Sequence, residues 1–432
     1  MLDINYIRDN QDLVSEKSAQ KGYKTDIAEL LSLDEQRRQL QTQIDTIRRE
    51  RNQLADSVKG HKPEAADHEK GRELKEKLAS VEAELRNVEE KYLTSLKAVP
   101  NMPLDDVPIG TSEANNVIEK TVGEPAHFNF TPLSHDRLGD KLGLIDKTRA
   151  TKISGSRFAY IKGDLVRLQF AIISFVMGEL TNSALIKKLI EENDLNLSDK
   201  PFVPILPPAL LKTGPYAASA RLNAEEVTYK VEQDDLWLNA SAEHTLCTMY
   251  MNEVVDEDAL PIRMLGYSTS FRREAGSYGK DIEGIFRLHQ FDKLEMEVLS
   301  TPESGFEEHK LLIAIQEHLV GSLGLSYQLL NKCTADIGKP NAHGVDINTW
   351  FPSQNNYRET HTADFMTDYQ TRDLKIRFKT KEGDLKFVHT NDATAFALGR
   401  IMAAIMENYQ EEDGHIQIPP VLRPFLGGQE RL

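Results

Sequence analysis

Phe271-Arg272-Arg273-Glu274-Ala275-Gly276-Ser277, followed by Gly284-Ile285-Phe286-Arg287-Leu288-His289-Gln290-Phe291-Asp292-Lys293-Leu294-Glu295, is the stretch on which the fold turns. It reads as a strand, a polar loop and a second strand. Arg272 and Arg287 offer planar, permanently charged guanidinium groups suited to phosphate. Glu274 and Glu295 can accept hydrogen bonds from an amine, and Phe291 offers a face on which a flat base can stack. The same residues also suit a charged β-hairpin on an ordinary surface, so the stretch alone leaves both readings open.

On either side of it, short β-rich runs alternate with helical segments. The runs are Phe158-Ala159-Tyr160-Ile161, Leu260 to Tyr267, Phe286 to Leu299, and Phe387-Val388-His389. One long helix is expected from about Gly163 through Leu185, Ile186 and Leu189. The pattern predicts an α+β domain with an antiparallel sheet. Gly276-Ser277-Tyr278-Gly279-Lys280 matches neither a dinucleotide fingerprint nor a Walker loop, so a bound nucleotide must be held by another device.

The first hundred residues are built differently. Leu33, Leu40, Ile47 and Leu54 recur every seven residues, as do Leu74, Val81 and Val88, and Leu78, Leu85 and Tyr92. That spacing is what a helix seam requires. Gly60-His61-Lys62-Pro63 interrupts it with residues that stop a helix, which predicts two arms folded back on each other, the first roughly 45 Å long at 1.5 Å per residue. A shorter amphipathic helix marked by Leu2, Ile4, Ile7 and Val14 precedes them. Arg37, Arg38, Arg48, Arg49, Arg51, Arg72, Lys75, Lys77 and Arg86 stand outside the seam. They read either as a solvated coiled-coil face or as contacts to phosphates. Pro100, Pro103, Pro108 and Gly110 mark a linker, giving expected units 1–100, 101–125 and 126–432.

Composition narrows the function classes. The 432 residues carry 52 basic and 68 acidic groups, a formal charge of −16, which argues against bulk non-specific nucleic-acid binding but leaves room for a local basic surface. No long apolar run predicts a membrane span. Met1-Leu2-Asp3-Ile4-Asn5 has no basic leader, and two distant cysteines, Cys247 and Cys333, make neither a disulfide framework nor a zinc site. A cytoplasmic location is expected.

Two further clusters carry candidate chemistry. In Asn356-Tyr357-Arg358-Glu359-Thr360-His361-Thr362-Ala363-Asp364, Glu359 is a candidate magnesium ligand, since that ion takes one or two carboxylates and completes its shell with phosphate oxygens. In His389-Thr390-Asn391-Asp392-Ala393-Thr394-Ala395-Phe396-Ala397-Leu398-Gly399-Arg400, Arg400 opens an apolar-periodic helix and can meet distal phosphates. His361 and His389, taken singly, read as structural.

Together these blocks resemble a class II aminoacyl-tRNA synthetase, specifically the bacterial-type seryl-tRNA synthetase family, over essentially the whole chain. Phe-Arg-x-Glu-Ala-Gly and His-Gln-Phe-x-Lys-x-Glu look like motif 2, 388–400 like motif 3, and the long helix with the stretch ending at Pro207-Pro208 like motif 1, the family's dimer interface. The resemblance implies an N-terminal antiparallel coiled-coil hairpin that grips serine tRNA, and a class II antiparallel-sheet catalytic domain. It implies Arg272, Glu359 and Arg400 as catalytic residues. Serine would be bound by Ser241, Ala242, Glu243, Arg272, Glu295 and Thr394. ATP would be bound by Arg272, Arg273, Glu274, Arg287, Phe291, Glu359, Thr360, His361, Thr362 and Arg400, with Mg2+ on Glu359. The expected activity is a serine–tRNA ligase acting through seryl-adenylate in a homodimer, with selenocysteine tRNA as a further acceptor. Two departures stand out: Asp392-Ala393-Thr394-Ala395-Phe396-Ala397 for Asn-Gly-Ser-Gly-Leu-Ala, and Glu359-Thr360-His361-Thr362 for Glu-Ile-Ser-Ser. Two other readings are a catalytically silent RNA-binding paralogue and a ligase that loads a carrier protein.

Overall fold

The computed structural model describes residues 1–60, 64–222, 228–274 and 284–432. The chain forms two compact units, Met1–Met102 and Pro103–Leu432.

In the first unit the seven-residue spacing becomes a helical hairpin. Ile27–Ser57 and Ala65–Ala98 are helices of 31 and 34 residues. Leu33, Leu40, Ile47, Leu74, Leu78, Val81, Leu85, Val88 and Tyr92 are buried along the seam, and Ile27, Leu30 and Ile44 widen it. Leu54, near the end of the first arm, is only half-buried. Asp26 caps the first arm by accepting from the Glu29 N–H at 2.8 Å. The expected break at Gly60–Pro63 has residues 61–63 outside the described residues. The short preceding helix is in fact two, Ile4–Asp9 and Gln11–Gln20, parted at Asn10. The hairpin's polar face is partly self-paired. Arg37 and Arg38 hold the buried Asp34, and Arg48 reaches Glu82 at 3.0 Å. Among the described residues Arg49, Arg51, Lys75, Lys77 and Arg86 have no carboxylate partner.

The second unit is organised on an eight-stranded sheet: β1 (Val117–Val122), β2 (Val203–Ile205), β3 (Ile262–Phe271), β4 (Gln290–Ser300), β5 (Tyr327–Asn331), β6 (His343–Phe351), β7 (Asn356–Thr367) and β8 (His389–Ala397). Their order is β1-β5-β6-β7-β8-β4-β3-β2. All neighbours are antiparallel except β2, which runs parallel to β3. The expected linker is therefore shorter than the sequence suggests: residues from Pro103 belong to this unit, and β1 is an edge strand. Its side chains are all exposed, so it lacks the apolar alternation that marks a half-buried strand.

One face of the sheet is covered by the helices Asp164–Leu180, Gly305–Ser322 and Leu398–Asn408. Leu168, Ile172, Ile315, Leu319, Ile401 and Ile405 pack there on Met296, Val298 and Ala393. The helix expected from Gly163 to Leu189 ends at Leu180 and restarts at Ser183. Asn182 caps the new segment through the Ala184 N–H, and the two axes differ by 70°. Among the described residues no single helix is long and apolar enough to cross a membrane; this bent pair is so by length and composition alone, and the first helix is largely core. The other face carries the polar residues described next.

Candidate active site

Period-two alternation puts Lys293, Glu295 and Glu297 of β4 on the open face, while Leu294, Met296 and Val298 enter the core. Register aligns Glu295 with Thr394, and Glu297 with Asp392, on β8. Ser241 approaches from the segment before the short helix Glu243–Leu246, and its Oγ donates to Glu295 Oε2 at 3.2 Å. Lys293 Nζ reaches both Ser241 Oγ, at 3.2 Å, and Glu295. Arg272 leaves the end of β3 and donates through Nε to Ala240 O at 3.1 Å. The guanidinium expected to meet a phosphate and the glutamate expected to meet an ammonium thus converge on one segment, Ala240-Ser241.

Arg272 also lies over the Phe291 ring, 5.2 Å from its centroid, and Arg273 lies over Tyr229 at 5.5 Å. Glu274 adopts a left-handed backbone, φ +47°. Its carboxylate pairs with Arg287, and its carbonyl accepts from Arg157 at 2.7 Å. Local bonds therefore hold an unusual conformation where the adenine reader was expected. Ala275, Gly276 and Ser277 of the quoted motif lie outside the described residues.

On the far flank, Arg400 bonds Glu359 twice, carboxylate at 2.8 Å and carbonyl at 3.0 Å, and stacks on Phe286 at 5.0 Å. Surrounding protein pushes the Glu359 carboxyl up, but Arg400, aided by Lys332, outweighs it and keeps the group below its ordinary range. Lys332 is a buried hub. It donates to Thr362 Oγ1 at 2.9 Å and pairs with Asp364 at 2.9 Å and Asp346 at 3.4 Å.

The β6–β7 register shifts between Ile347 and Asn348, so Ile347 faces His361 and Asn348 faces Glu359. Thr360 is the extra residue of a bulge. This returns Glu359 to the face shared by Thr362. Two of the expected ATP residues are not on it. The His361 ring packs on core Phe396 at 5.3 Å, and Nδ1 lies 2.8 Å from Thr360 Oγ1, itself 2.7 Å from Thr349 Oγ1. Burial holds the His361 imidazole neutral, its pKa lowered to about 3. As side chains, Thr360 and His361 are core supports, and only Glu359 and Thr362 of that quartet stand toward the open face.

The deepest part of the site is acidic. Glu243, Glu295 and Asp392 are buried, and one oxygen from each lies within 4.8 Å of the others. Arg221 bridges Glu243 at 3.0 Å and Asp392 at 2.9 Å, and His244 Nε2 also meets Glu243 at 3.1 Å. Burial opposes ionisation of Glu243, but Arg221, His244 and Lys293 overcome it and keep the carboxylate ionised. For Glu295 burial wins, raising the pKa to about 7. Burial and neighbouring carboxylates raise Asp392 and Glu297 well above the ordinary range. Arg221, Lys332 and Glu297 escaped the sequence reading, and Lys293 entered it only as a member of a motif; for Lys293 and Glu297 the signal was a charge inside a run that alternates into a core.

A family model described as the Seryl-tRNA synthetase N-terminal domain matches residues 1–103, and one described as the tRNA synthetase class II core domain (G, H, P, S and T) matches 229–409. A serine–tRNA ligase of Thermodesulfovibrio yellowstonii is 37% identical over 436 residues, covering 99% of both chains. The chain belongs to the seryl-tRNA synthetase family. A serine–tRNA ligase of Petrotoga mobilis is likewise 37% identical over 99% of each chain. Among solved structures, seryl-tRNA synthetase from Pyrococcus horikoshii complexed with ATP is 34% identical, with TM-score 0.87 over 100% of this chain and 99% of that one. A Giardia lamblia prolyl-tRNA synthetase in complex with prolyl-adenylate shares the fold alone, 14% identical with TM-score 0.52 over 67% of this chain and 55% of that one. The family membership makes this an ATP-dependent aminoacyl-tRNA ligase of class II, α+β in fold, with a coiled-coil N-terminal unit.

Proposed function

We propose that the chain activates L-serine with ATP and transfers it to serine tRNA. The observation that carries this reading is the convergence on Ala240-Ser241. Arg272 reaches the Ala240 carbonyl, while Glu295 accepts from the adjacent Ser241 hydroxyl. An α-carboxylate held by Arg272 and an α-ammonium held by Glu295 place a small amino acid between them, its side chain toward Glu243, Ala242 and Thr394. Phe291 and Glu274 receive the adenine, and Arg287 and Arg400 the outer phosphates.

The serine carboxylate oxygen then attacks the α-phosphorus, forming a mixed carboxylic–phosphoric anhydride as the bond to the bridging α–β oxygen breaks and pyrophosphate leaves. The terminal ribose hydroxyl of the tRNA next attacks the seryl carbonyl, an ester forms, and AMP departs. Catalysis is positioning and charge stabilisation, so no protein nucleophile is required. Glu359, 49% exposed and acceptor-only, fits Mg2+, which keeps waters and takes phosphate oxygens alongside few carboxylates. When bound, the ion neutralises phosphate charge.

The hairpin cations that lack a carboxylate partner among the described residues, Arg49, Arg51, Lys75, Lys77 and Arg86, suit the phosphates of a long tRNA arm. An apolar groove of about 550 Å³, lined by Leu206, Pro207, Leu211, Leu246 and Met249, supports a second copy of the chain as partner at the motif 1 stretch. A cytoplasmic location belongs to the same reading, because charged tRNA is consumed where protein is made. Selenocysteine tRNA is a further acceptor within it.

Serine-dependent ATP–pyrophosphate exchange, beside R272A, tests the proposal. Exchange with serine that the variant lacks supports adenylate formation. No exchange with any amino acid overturns it in favour of a silent RNA-binding paralogue. Transfer of serine to a carrier protein instead of tRNA points to the third reading.

A further inference from the structure

The amino-acid end of the site holds more buried acid than one ammonium can satisfy. Glu295 and Asp392 each present a buried oxygen with no hydrogen-bond partner, Oε1 and Oδ1, as does Glu297 through Oε1. All three residues are no more than 1% exposed. Against four carboxyl groups, counting Glu243, stand two fixed cations, Arg221 and Lys293; His244 adds a donor but no fixed charge. Two carboxyl groups therefore lack a fixed cation, and burial beside other acids holds Asp392 and Glu297 back from ionising until one arrives. An orphaned buried carboxylate oxygen is costly unless a donor reaches it, and an ammonium supplies three donors and a charge.

Distance agrees with this count. Three oxygens that lie within 4.8 Å of one another share a point no more than about 2.8 Å from each, so one nitrogen can reach all three at a charge-assisted N–H···O length. Arg221 and Lys293 already bond members of the trio, so N–H donors are the groups this cluster is arranged to receive. Serine brings one ammonium, its α-amine. The orphaned oxygen of Asp392 is then left for a second.

We propose that this pocket accepts, besides serine, a small α-amino acid whose side chain is an amine, with the free oxygen of Asp392 reading the second ammonium. The inference rests on the amino-acid site proposed above. Such a substrate carries its carboxylate toward Arg272, its α-ammonium toward Glu295 and its β-ammonium toward Asp392, and so supplies donors to both orphaned oxygens. Alanine offers neither a second donor nor a charge, and leaves the acidic oxygens unpaired.

The probe is 2,3-diaminopropionate in ATP–pyrophosphate exchange with the full chain, run beside serine and alanine. Exchange with diaminopropionate well above alanine, and a diaminopropionate-to-serine ratio of kcat/KM that falls at least tenfold in D392N, is the expected result. Serine exchange without diaminopropionate exchange overturns the proposal and leaves the serine reading standing. Diaminopropionate exchange without serine exchange overturns the serine reading and the dual specificity proposed here. A ratio unchanged in D392N overturns the role given to Asp392. The wild-type comparison decides the substrate class whether or not the variant folds.

Discussion

Replacing Glu295 by glutamine should make the protein more stable and inactive at once, with a pH signature. Glu295 is fully buried, and its pKa rises from the ordinary 4.5 to about 7, burial being the main cause. A carboxyl whose folded pKa lies above its unfolded value binds its proton more tightly when folded. Its contribution to stability is present below about pH 4.5 and is lost as pH rises through 7. Each unit is about 1.4 kcal/mol, so ionised Glu295 costs the folded state roughly 3 kcal/mol at pH 8. That figure already includes the favourable Lys293 contact. The substituted amide keeps an acceptor for Lys293 and Ser241 and does not titrate, and Lys293 stays among Glu243, Glu297 and Asp392. The stability difference between E295Q and wild type should therefore move in favour of the variant by roughly 2–3 kcal/mol from pH 5 to pH 8. Urea unfolding at the two pH values measures it. Serine added at pH 8 should raise the wild-type melting temperature and leave E295Q unmoved. A stability difference that stays flat across the window would refute the assignment of Glu295 as the strained acid.

Other substitutions test the frame around the site. Arg263 is buried and bonds Glu308 through two nitrogens at 2.9 and 2.8 Å, so R263M strands that carboxylate and should cost about 3–5 kcal/mol in denaturant unfolding, with R263M/E308L recovering much of it. A Cβ at Gly399 would meet the Ile285 carbonyl oxygen at 2.5 Å, so G399A should displace the start of the helix carrying Arg400 and lower both melting temperature and exchange rate. R400A frees the Glu359 carboxylate and removes a phosphate contact; the KM for ATP in exchange should rise tenfold or more, with the fold intact by circular dichroism. Reversing Lys75, Lys77 and Arg86 to glutamate should weaken tRNA binding and flatten its salt dependence while serine-dependent exchange persists.

The helical hairpin was legible in the sequence because a seam repeats locally: Leu74, Val81 and Val88 declare their partners by spacing alone. Glu295 was legible as a candidate because a charged type sits between apolar strand residues, and Arg272 and Glu274 because they follow a strand directly in a dense charged motif. What stayed hidden depends on long-range register. Nothing near Asp392 announces Arg221, 171 positions away, and nothing near Thr362 announces Lys332. The edge strand Val117–Val122 was hidden for the opposite reason, since all of it faces outward and no apolar alternation survives. The helix break at Asn182 was written only in a single capping residue, which apolar periodicity on both sides overrode.

The bulge at Thr360 carries a consequence for how this strand tolerates change. A strand is a two-letter code, and one extra residue flips its parity from that point onward. Here the flip separates two jobs: Glu359 is in phase with one side of the sheet, and Thr362 and Asp364 are brought into phase with it only because an odd residue lies between. Deleting that one residue would not merely shorten the strand. It would rotate either Glu359 into the hydrocarbon or Thr362 and Asp364 away from the ammonium of Lys332. A point substitution at Thr360 costs the buried bonds its hydroxyl makes to Thr349 and His361; losing the residue costs the phase of the strand as well. Length is held fixed at that position together with identity.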